Sequence, residues 1–187
     1  MNRTRPAAPH HRAPRSAAPR AAALAAALLV PLVAGGCGYT LRSAVPSHIK
    51  SVAIPSLQNN TIEYALAEEV TQSLVDGFLA DRHLQVTGER DANSVLRGTI
   101  LAYRNRVFGY TREERATEYE VVLVVQVTFR DMVKNRDLWK EDALTVRTTY
   151  NVSPVATGDV PRTEADARRD VIDKLADQIV SRTVQGW

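Results

Sequence analysis

The sequence predicts an α+β fold in which two amphipathic helices pack on one face of a roughly four-stranded, mixed or antiparallel sheet. Two segments repeat apolar residues at helical spacing, and between them the chain alternates apolar and polar residues over long runs. The longest alternation covers residues 118–132. A sheet with one apolar face must bury that face, and two amphipathic helices can cover it, which gives a two-layer sandwich.

The first helix is predicted from about Asn60 to Arg82, after a short strand at 51–57. Asn60 and Glu63 have the spacing of a capping box at a helix N-terminus. An apolar stripe follows at Ile62, Leu66, Val70, Leu74 and Phe78, widened by Val75 and Leu79. A helix lying on a membrane surface usually carries Lys and Arg on its polar face, whereas this helix carries carboxylates there, which favours packing on a sheet.

A short strand at 84–87 follows the helix, and a crossover would place it in the same sheet as the first strand. Residues 94–107 are extended, with Leu96, Gly98, Ile100 and Ala102 predicted on one face and Tyr103 on the other. We expect a polar loop at 108–117.

The strand at 118–132 and the next strand at 138–150 form a hairpin with its turn at 133–137. Their predicted core residues alternate along each strand: Tyr119, Val121, Leu123, Val125, Val127 and Phe129, then Leu144, Val146, Thr148 and Tyr150. An irregular loop at 151–162 leads to the last helix. Thr163 is its predicted N-cap, because Glu164 and Asp166 place acidic side chains in the first turn.

The first 36 residues differ in composition from the rest of the chain. They contain five arginines and no Asp or Glu, and residues 21–33 are apolar throughout. Thirteen apolar residues are fewer than the roughly 20 that span a bilayer as a helix. A basic segment followed by a short apolar segment is typical of a secretory signal peptide, so residues 1–36 are predicted to be removed.

Cys37 is the single cysteine in the chain and follows the small residues Ala34, Gly35 and Gly36. The segment resembles the lipobox of bacterial lipoproteins, although Ala34 stands where that pattern prefers Leu or Val. The resemblance implies that Cys37 carries diacylglycerol and an N-linked acyl chain. Gly38 is not the Asp that retains such proteins in the inner membrane, so the outer membrane is expected. The alternative is an ordinary signal peptide with an incidental cysteine.

Removing the signal reverses the charge balance of the chain. The remaining residues hold 19 Lys and Arg against 21 Asp and Glu, a net charge of −2. The high isoelectric point therefore belongs to the signal and gives no reason to expect nucleic-acid binding. Residues 37–187 are predicted to form a single domain with a lipid-anchored lead-in at 37–50, large enough to bury a core without disulfides.

No pattern of catalytic or metal-binding residues is present. His48 and His83 have no Cys or Glu at ligand spacing, whereas zinc requires three or four converging ligands. Neither a Gly-rich phosphate loop nor a Gly-x-Ser-x-Gly elbow occurs. We therefore expect neither a catalytic residue, nor a bound metal, nor a cofactor other than the lipid on Cys37.

Basic side chains gather in the loops. Arg104, Arg106, Arg112 and Arg115 cluster around the connection before the long strand, and Arg162 precedes the last helix. Alternate connections of a hairpin sheet lie at the same end, so the loops at 108–117 and 151–162 are expected together, with the turn at 133–137 at the other end. Arginine suits phosphate recognition, but a solubilising rim would have the same composition.

The chain after Cys37 resembles the LptE family of lipopolysaccharide-assembly lipoproteins. The segments that carry the resemblance are Cys37-Gly38-Tyr39 at the start, His48 to Pro55 in the first strand, Asn59-Asn60-Thr61 before the helix, and Thr117-Glu118-Tyr119 at the long strand. Their order is more specific than any one of them.

The resemblance implies two helices on a four-stranded sheet. It also implies a non-enzymatic role at the outer membrane, on its periplasmic side and largely inside the barrel of LptD, as plug, assembly partner and lipopolysaccharide-binding protein. By position, Arg112 and Arg162 match basic residues that meet lipid A phosphates in the family, with Arg115 beside them. The runner-up function is a periplasm-facing lipoprotein that scaffolds or activates another envelope machine, such as a cell-wall synthase.

Overall fold

The computed structural model describes residues 45–110, 116–153 and 160–185, all of them within one compact unit, Arg42–Trp187. The described residues form six strands and two helices in the order β1 Ser51–Ala53, β2 Gln58–Asn59, α1 Leu66–Asp81, β3 Gln85–Val86, β4 Ser94–Tyr110, β5 Ala116–Asp131, β6 Arg136–Asn151 and α2 Glu164–Gln185.

The strands form one mixed sheet in the order β3-β1-β4-β5-β6, with β2 paired to β4 beyond the end of β1. β1 runs parallel to both β3 and β4, whereas β4, β5 and β6 are antiparallel neighbours. The expected α+β sandwich is confirmed, but the described chain contributes six strands to the sheet rather than about four. The predicted strand at 51–57 is shortened to β1, β2 forms just beyond its predicted end, and the short β3 also joins the sheet.

The core lies between one face of the sheet and the two helices. β5 contributes its predicted alternate residues, and Val121, Leu123 and Val125 are fully buried. Predicted core residues of β6, Leu144 to Tyr150 in alternation, are buried beside them. The helices close over this face with Phe78, Leu175 and other residues of their stripes. Full burial of each large apolar side chain contributes roughly 1.5–3 kcal/mol.

The predicted start of the first helix is wrong. α1 begins at Leu66 after Ala65, whose left-handed backbone (φ 60°) breaks the helix, and no side chain caps this end. The predicted capping box of Asn60 and Glu63 does not form, because Asn60 donates its N–H to the carbonyl of Ile100 in β4. Ile62, placed in the buried stripe by its spacing, lies outside the helix, and Leu79 is also exposed.

A bulge reverses the side-chain alternation of β4. Ile100 pairs with Val125 and Ala102 pairs with Val124, so Leu101 is an extra residue opposite the ladder. Beyond it the faces exchange, and Tyr103 lies on the helix side while Ala102 lies on the open face, which corrects both predictions. The strands also extend into the predicted loop, because β4 continues to Tyr110 and β5 starts at Ala116.

The lead-in is attached to the sheet by a hydrogen bond between side chains that sequence analysis did not identify. His48 Nε2 lies 2.7 Å from Asp131 Oδ2, and Asp131 is fully buried. The backbone N–H groups of Val133 and Lys134 each donate to Asp131 Oδ1 at 2.9 Å. Burial opposes ionisation of Asp131, but these donors and His48 outweigh it, so the pKa of Asp131 lies below its ordinary value.

The face assignment of β5 can be tested by placing one charge on each side. Val125→Asp should abolish folding or reduce the free energy of unfolding by several kcal/mol, because it buries an unpaired carboxylate in the core. Val124→Asp should have a much smaller effect, because Val124 lies half-buried on the open face. Chemical denaturation of both variants measures the difference. Equal destabilisation would contradict the assignment.

Candidate functional site

One end of the sheet, which we call the basic end, carries Arg104, Arg106, Arg147 and Arg162. Here β4 ends at Tyr110, β5 begins at Ala116 and β6 ends at Asn151. The N–H of Arg162 donates to the carbonyl of Asn151 at 2.8 Å, so the chain entering α2 is held at the same end. The described ends of the two loops therefore meet as the hairpin topology predicts, and the turn between β5 and β6 lies at the opposite end.

Arg162, predicted to bind lipid, is positioned by the first turns of α2. Its side chain is 42% exposed, and Nη1 lies 3.8 Å from Asp170 Oδ2. Its Nη2 donates to the carbonyl of Asp166 at 3.3 Å. The predicted N-cap is confirmed: the N–H of Asp166 donates to Thr163 Oγ1 at 3.2 Å, and the N–H of Thr163 donates to Asp166 Oδ2 at 3.0 Å.

Arg112 and Arg115, the other two candidates, lie within 111–115 and so outside the described residues. Cys37 and the signal at 1–36 lie outside them as well. The lipid anchor and the place of both arginines in the site remain predictions. The described strand ends at Tyr110 and Ala116 fix where the connection containing the two arginines leaves and re-enters the sheet.

Asp170 organises the cations next to Arg162. Its carboxylate accepts hydrogen bonds from the Thr148 hydroxyl and from Lys174 Nζ, the latter at 3.0 Å. The Thr148 bond is the main cause that lowers the pKa of Asp170. Burial opposes this effect, while Lys174 and Arg162 add to it. Asp170 is therefore ionised at neutral pH and holds two cationic side chains over the end of β6.

A second group of arginines lies on the open face of the sheet, opposite the helices. Arg106 pairs in register with Glu120, and its Nε donates to Glu120 Oε2 at 2.9 Å. Arg147 Nη1 lies 3.9 Å from the other carboxylate oxygen. The Glu120 side chain is only 4% exposed, whereas both guanidinium-bearing side chains are more than 60% exposed. One buried carboxylate therefore supports two solvent-facing cations.

Arg104 adds a third cation to this face. It is in register with Val122, and Arg147 pairs with Val122 from the other side. Among the described residues Arg104 has no ion pair or hydrogen bond from its side chain. Sequence analysis identified Arg104 and Arg106 but missed Arg147 and Glu120. The sequence signal that could have placed Arg147 on the open face is the alternation of the polar residues Thr145, Arg147 and Thr149 along β6.

Large apolar side chains are exposed at the same end. Phe108, Tyr110 and Val160 are 57%, 65% and 79% exposed, and Val152 is 40% exposed. Guanidinium groups bind phosphate through charge-assisted, bidentate hydrogen bonds. The exposed apolar side chains beside them can contact the hydrocarbon of acyl chains. The arrangement can therefore accommodate an amphiphile with anionic groups next to acyl chains.

Within the described segments, no cluster of three or more His, Cys, Asp and Glu side chains is placed to hold a metal ion. A helix with the length and hydropathy to cross a membrane is not found among those residues either.

Comparison with protein families gives one match that covers most of the chain. The model of the LptE family, described as lipopolysaccharide-assembly, matches residues 49–183. The chain belongs to the LptE family. The family is one of non-enzymatic lipopolysaccharide-assembly proteins, as the sequence resemblance implied. A search of curated protein sequences found no match.

Solved structures are similar to this LptE-family chain to different degrees. Protein XCC0632 from Xanthomonas campestris aligns with a TM-score of 0.56 at 9% identity, covering 74% of this chain and 86% of the other. A minor lipoprotein from Acinetobacter baumannii has 23% identity and a TM-score of 0.48, covering 74% and 92%. The rare lipoprotein B from Shewanella oneidensis has 16% identity and a TM-score of 0.41, covering 70% and 89%.

The role of Asp170 can be measured through the pH dependence of stability. Because its folded-state pKa is lowered, the ionised carboxylate stabilises the protein above the unfolded pKa of about 3.9, and this contribution is lost as pH falls through the folded value. Asp170→Asn should therefore be less stable than wild type at pH 6, with the difference shrinking below about pH 4. Urea denaturation across this range checks it. A difference independent of pH would contradict the assignment.

Proposed function

We propose that this protein is an outer-membrane lipoprotein that partners the LptD β-barrel and binds lipopolysaccharide during its transport to and assembly in the outer membrane. The observation that carries the proposal is the basic end, where guanidinium groups and exposed apolar side chains adjoin one another. Lipopolysaccharide presents the matching combination of phosphate groups and acyl chains. The family membership supports the same substrate class.

Arg112 and Arg162, with Arg115 beside them, are the proposed contacts to the phosphates. Arg162 remains partly exposed, and a phosphate oxygen would meet its guanidinium beside Lys174. Residues 37–187 carry a net charge of −2, so attraction of an anion cannot come from the overall field and must be local. Binding is therefore expected to depend on the arrangement at this end of the sheet.

The anchor is proposed from sequence. Removal of residues 1–36 would leave Cys37 as the first residue, carrying diacylglycerol and an N-linked acyl chain. Residues 37–187 would then form one domain tethered to the periplasmic face of the outer membrane, with the folded part acting as plug and assembly partner inside the barrel. Attachment through two or more acyl chains gives stable membrane anchoring, whereas one chain gives only marginal binding.

Substitution of both proposed phosphate contacts tests the function. Arg112→Glu/Arg162→Glu should weaken lipopolysaccharide capture by the purified protein at least tenfold, because it replaces attraction by repulsion. Wild-type binding should also fall with added salt, since exposed charges are screened within about 10 Å at 0.1 M. Thermal stability and capture of LptD should change little.

The matched control reverses two charges at the opposite end of the sheet. Lys134 lies in the turn between β5 and β6, Arg136 is the first residue of β6, and both are exposed. Lys134→Glu/Arg136→Glu should leave lipopolysaccharide capture nearly unchanged. Equal losses of lipopolysaccharide capture in the two double variants would show that only the net charge matters. No loss in Arg112→Glu/Arg162→Glu would show that these arginines are solvent-exposed charges without a role in binding. Recovery of a periplasmic synthase instead of LptD would favour the scaffold function.

A further inference from the structure

The turn between β2 and α1, residues 61–65, displays two large apolar side chains to solvent. Ile62 is 99% exposed and Tyr64 is 93% exposed, so neither side chain packs on the rest of the protein. The helical spacing that placed Ile62 in a buried stripe therefore does not hold at this position. Neighbouring apolar residues in α1, from Leu66 onward, do enter the core.

The turn is held in place by hydrogen bonds at both of its ends. Asn59 Oδ1 accepts the N–H of Thr61 at 3.0 Å, and Asn59 Nδ2 donates to the carbonyl of Glu63 at 2.8 Å. From α2, Arg168 Nη2 donates to the carbonyl of Tyr64 at 2.9 Å. The exposure of the two apolar side chains is thus a property of an ordered turn.

Arg168 is itself fixed by the surrounding side chains. Its Nε donates to Glu69 Oε2 at 2.7 Å, and its guanidinium carbon lies 5.5 Å from the centre of the Tyr103 ring. Tyr103 in turn donates its hydroxyl to Glu164 Oε1 at 3.1 Å. The turn is therefore connected to β4 and to the start of α2, which preorganises it and reduces the entropy lost on binding.

The turn is surrounded by an excess of negative charge, whereas the basic end carries positive charge. Glu63 lies in the turn, and Glu68 and Glu69 follow it in α1. Arg168 pairs with Glu63 and Glu69, which leaves a local excess of carboxylates. Glu68 is exposed and has no ion pair within the described part of the chain. An anionic membrane surface would repel this group.

We propose that the turn at 61–65, together with Glu68, is a docking anchor for a protein partner that presents an apolar socket flanked by Lys or Arg. Tyrosine is enriched among residues that dominate binding energy at protein interfaces. The inference rests on the proposed function, in which the partner is LptD, and it names the surface that contacts the barrel. Lipopolysaccharide would then bind at the basic end.

The test is capture of co-expressed LptD from the same organism by the full-length protein in detergent. Ile62→Ser/Tyr64→Ser should reduce capture at least tenfold without changing the melting temperature, because neither side chain packs in the fold. The matched control is Met132→Ser/Val133→Ser, which removes two exposed apolar side chains from the β5–β6 turn. It should capture LptD as wild type does.

A second pair of variants tests the charge. Glu68→Lys should weaken capture several-fold, whereas Asp177→Lys, which reverses an exposed carboxylate on α2, should not. Lipopolysaccharide binding should be unaffected by either substitution. Equal effects of the two would show that net charge, rather than the turn, controls capture and would overturn the inference.

The remaining outcomes separate the inference from the function on which it rests. If wild type does not capture LptD, the proposed function and the inference both fail. If wild type and Ile62→Ser/Tyr64→Ser capture LptD equally, the inference alone is overturned. It is also overturned if the double variant still captures LptD but no longer binds phosphatidylcholine vesicles, because the turn would then contact a membrane. Loss of a concentration-dependent dimer instead would show that the turn contacts a second copy of the protein.

Discussion

Burial of one face of β5 is the constraint on which the rest of the structure depends. β5 lies between β4 and β6, and its residues from Val121 to Phe129 alternate into the core beneath both helices. At about 3.3 Å per residue a 16-residue strand spans about 53 Å, whereas the 22 residues of α2 span about 33 Å. Within the described segments β5 is therefore longer than α2, and Phe108, Tyr110 and the arginines are exposed at the end of the sheet where α2 begins.

Two buried carboxylates mark the limits of the β5 apolar stripe. Glu120 precedes it and Asp131 follows it, and each is compensated differently. Glu120 is bound by Arg106 and Arg147, which remain largely in solvent. Asp131 is bound by His48 and by two backbone N–H groups. Leaving a buried charge unpaired costs several kcal/mol. The two arginines that bind Glu120 therefore make the open face cationic, and the histidine that binds Asp131 attaches the lead-in to the sheet.

The sequence predicted those features that depend on local spacing. The faces of β5 and β6 and the Thr163 cap follow from alternation and from a four-residue motif, and the structure has them. The start of α1 and the faces beyond Leu101 were wrong, because a paired β2 and a bulge are set by neighbouring strands rather than by spacing. The pairs of Glu120 with Arg147 and of His48 with Asp131 depend on register and on long-range contact. Spacing alone could not identify them.

Contact between lipopolysaccharide and the basic end of the sheet is the proposal on which the function depends. The most direct measurement places a photo-activatable phenylalanine analogue at Phe108 in the full-length protein, and at Val133 at the opposite end as a reference; both positions are more than half exposed. Irradiation with lipopolysaccharide should give a lipid-linked adduct from position 108 and little from position 133. An adduct of equal yield at both positions, or one formed only at 133, would contradict the account.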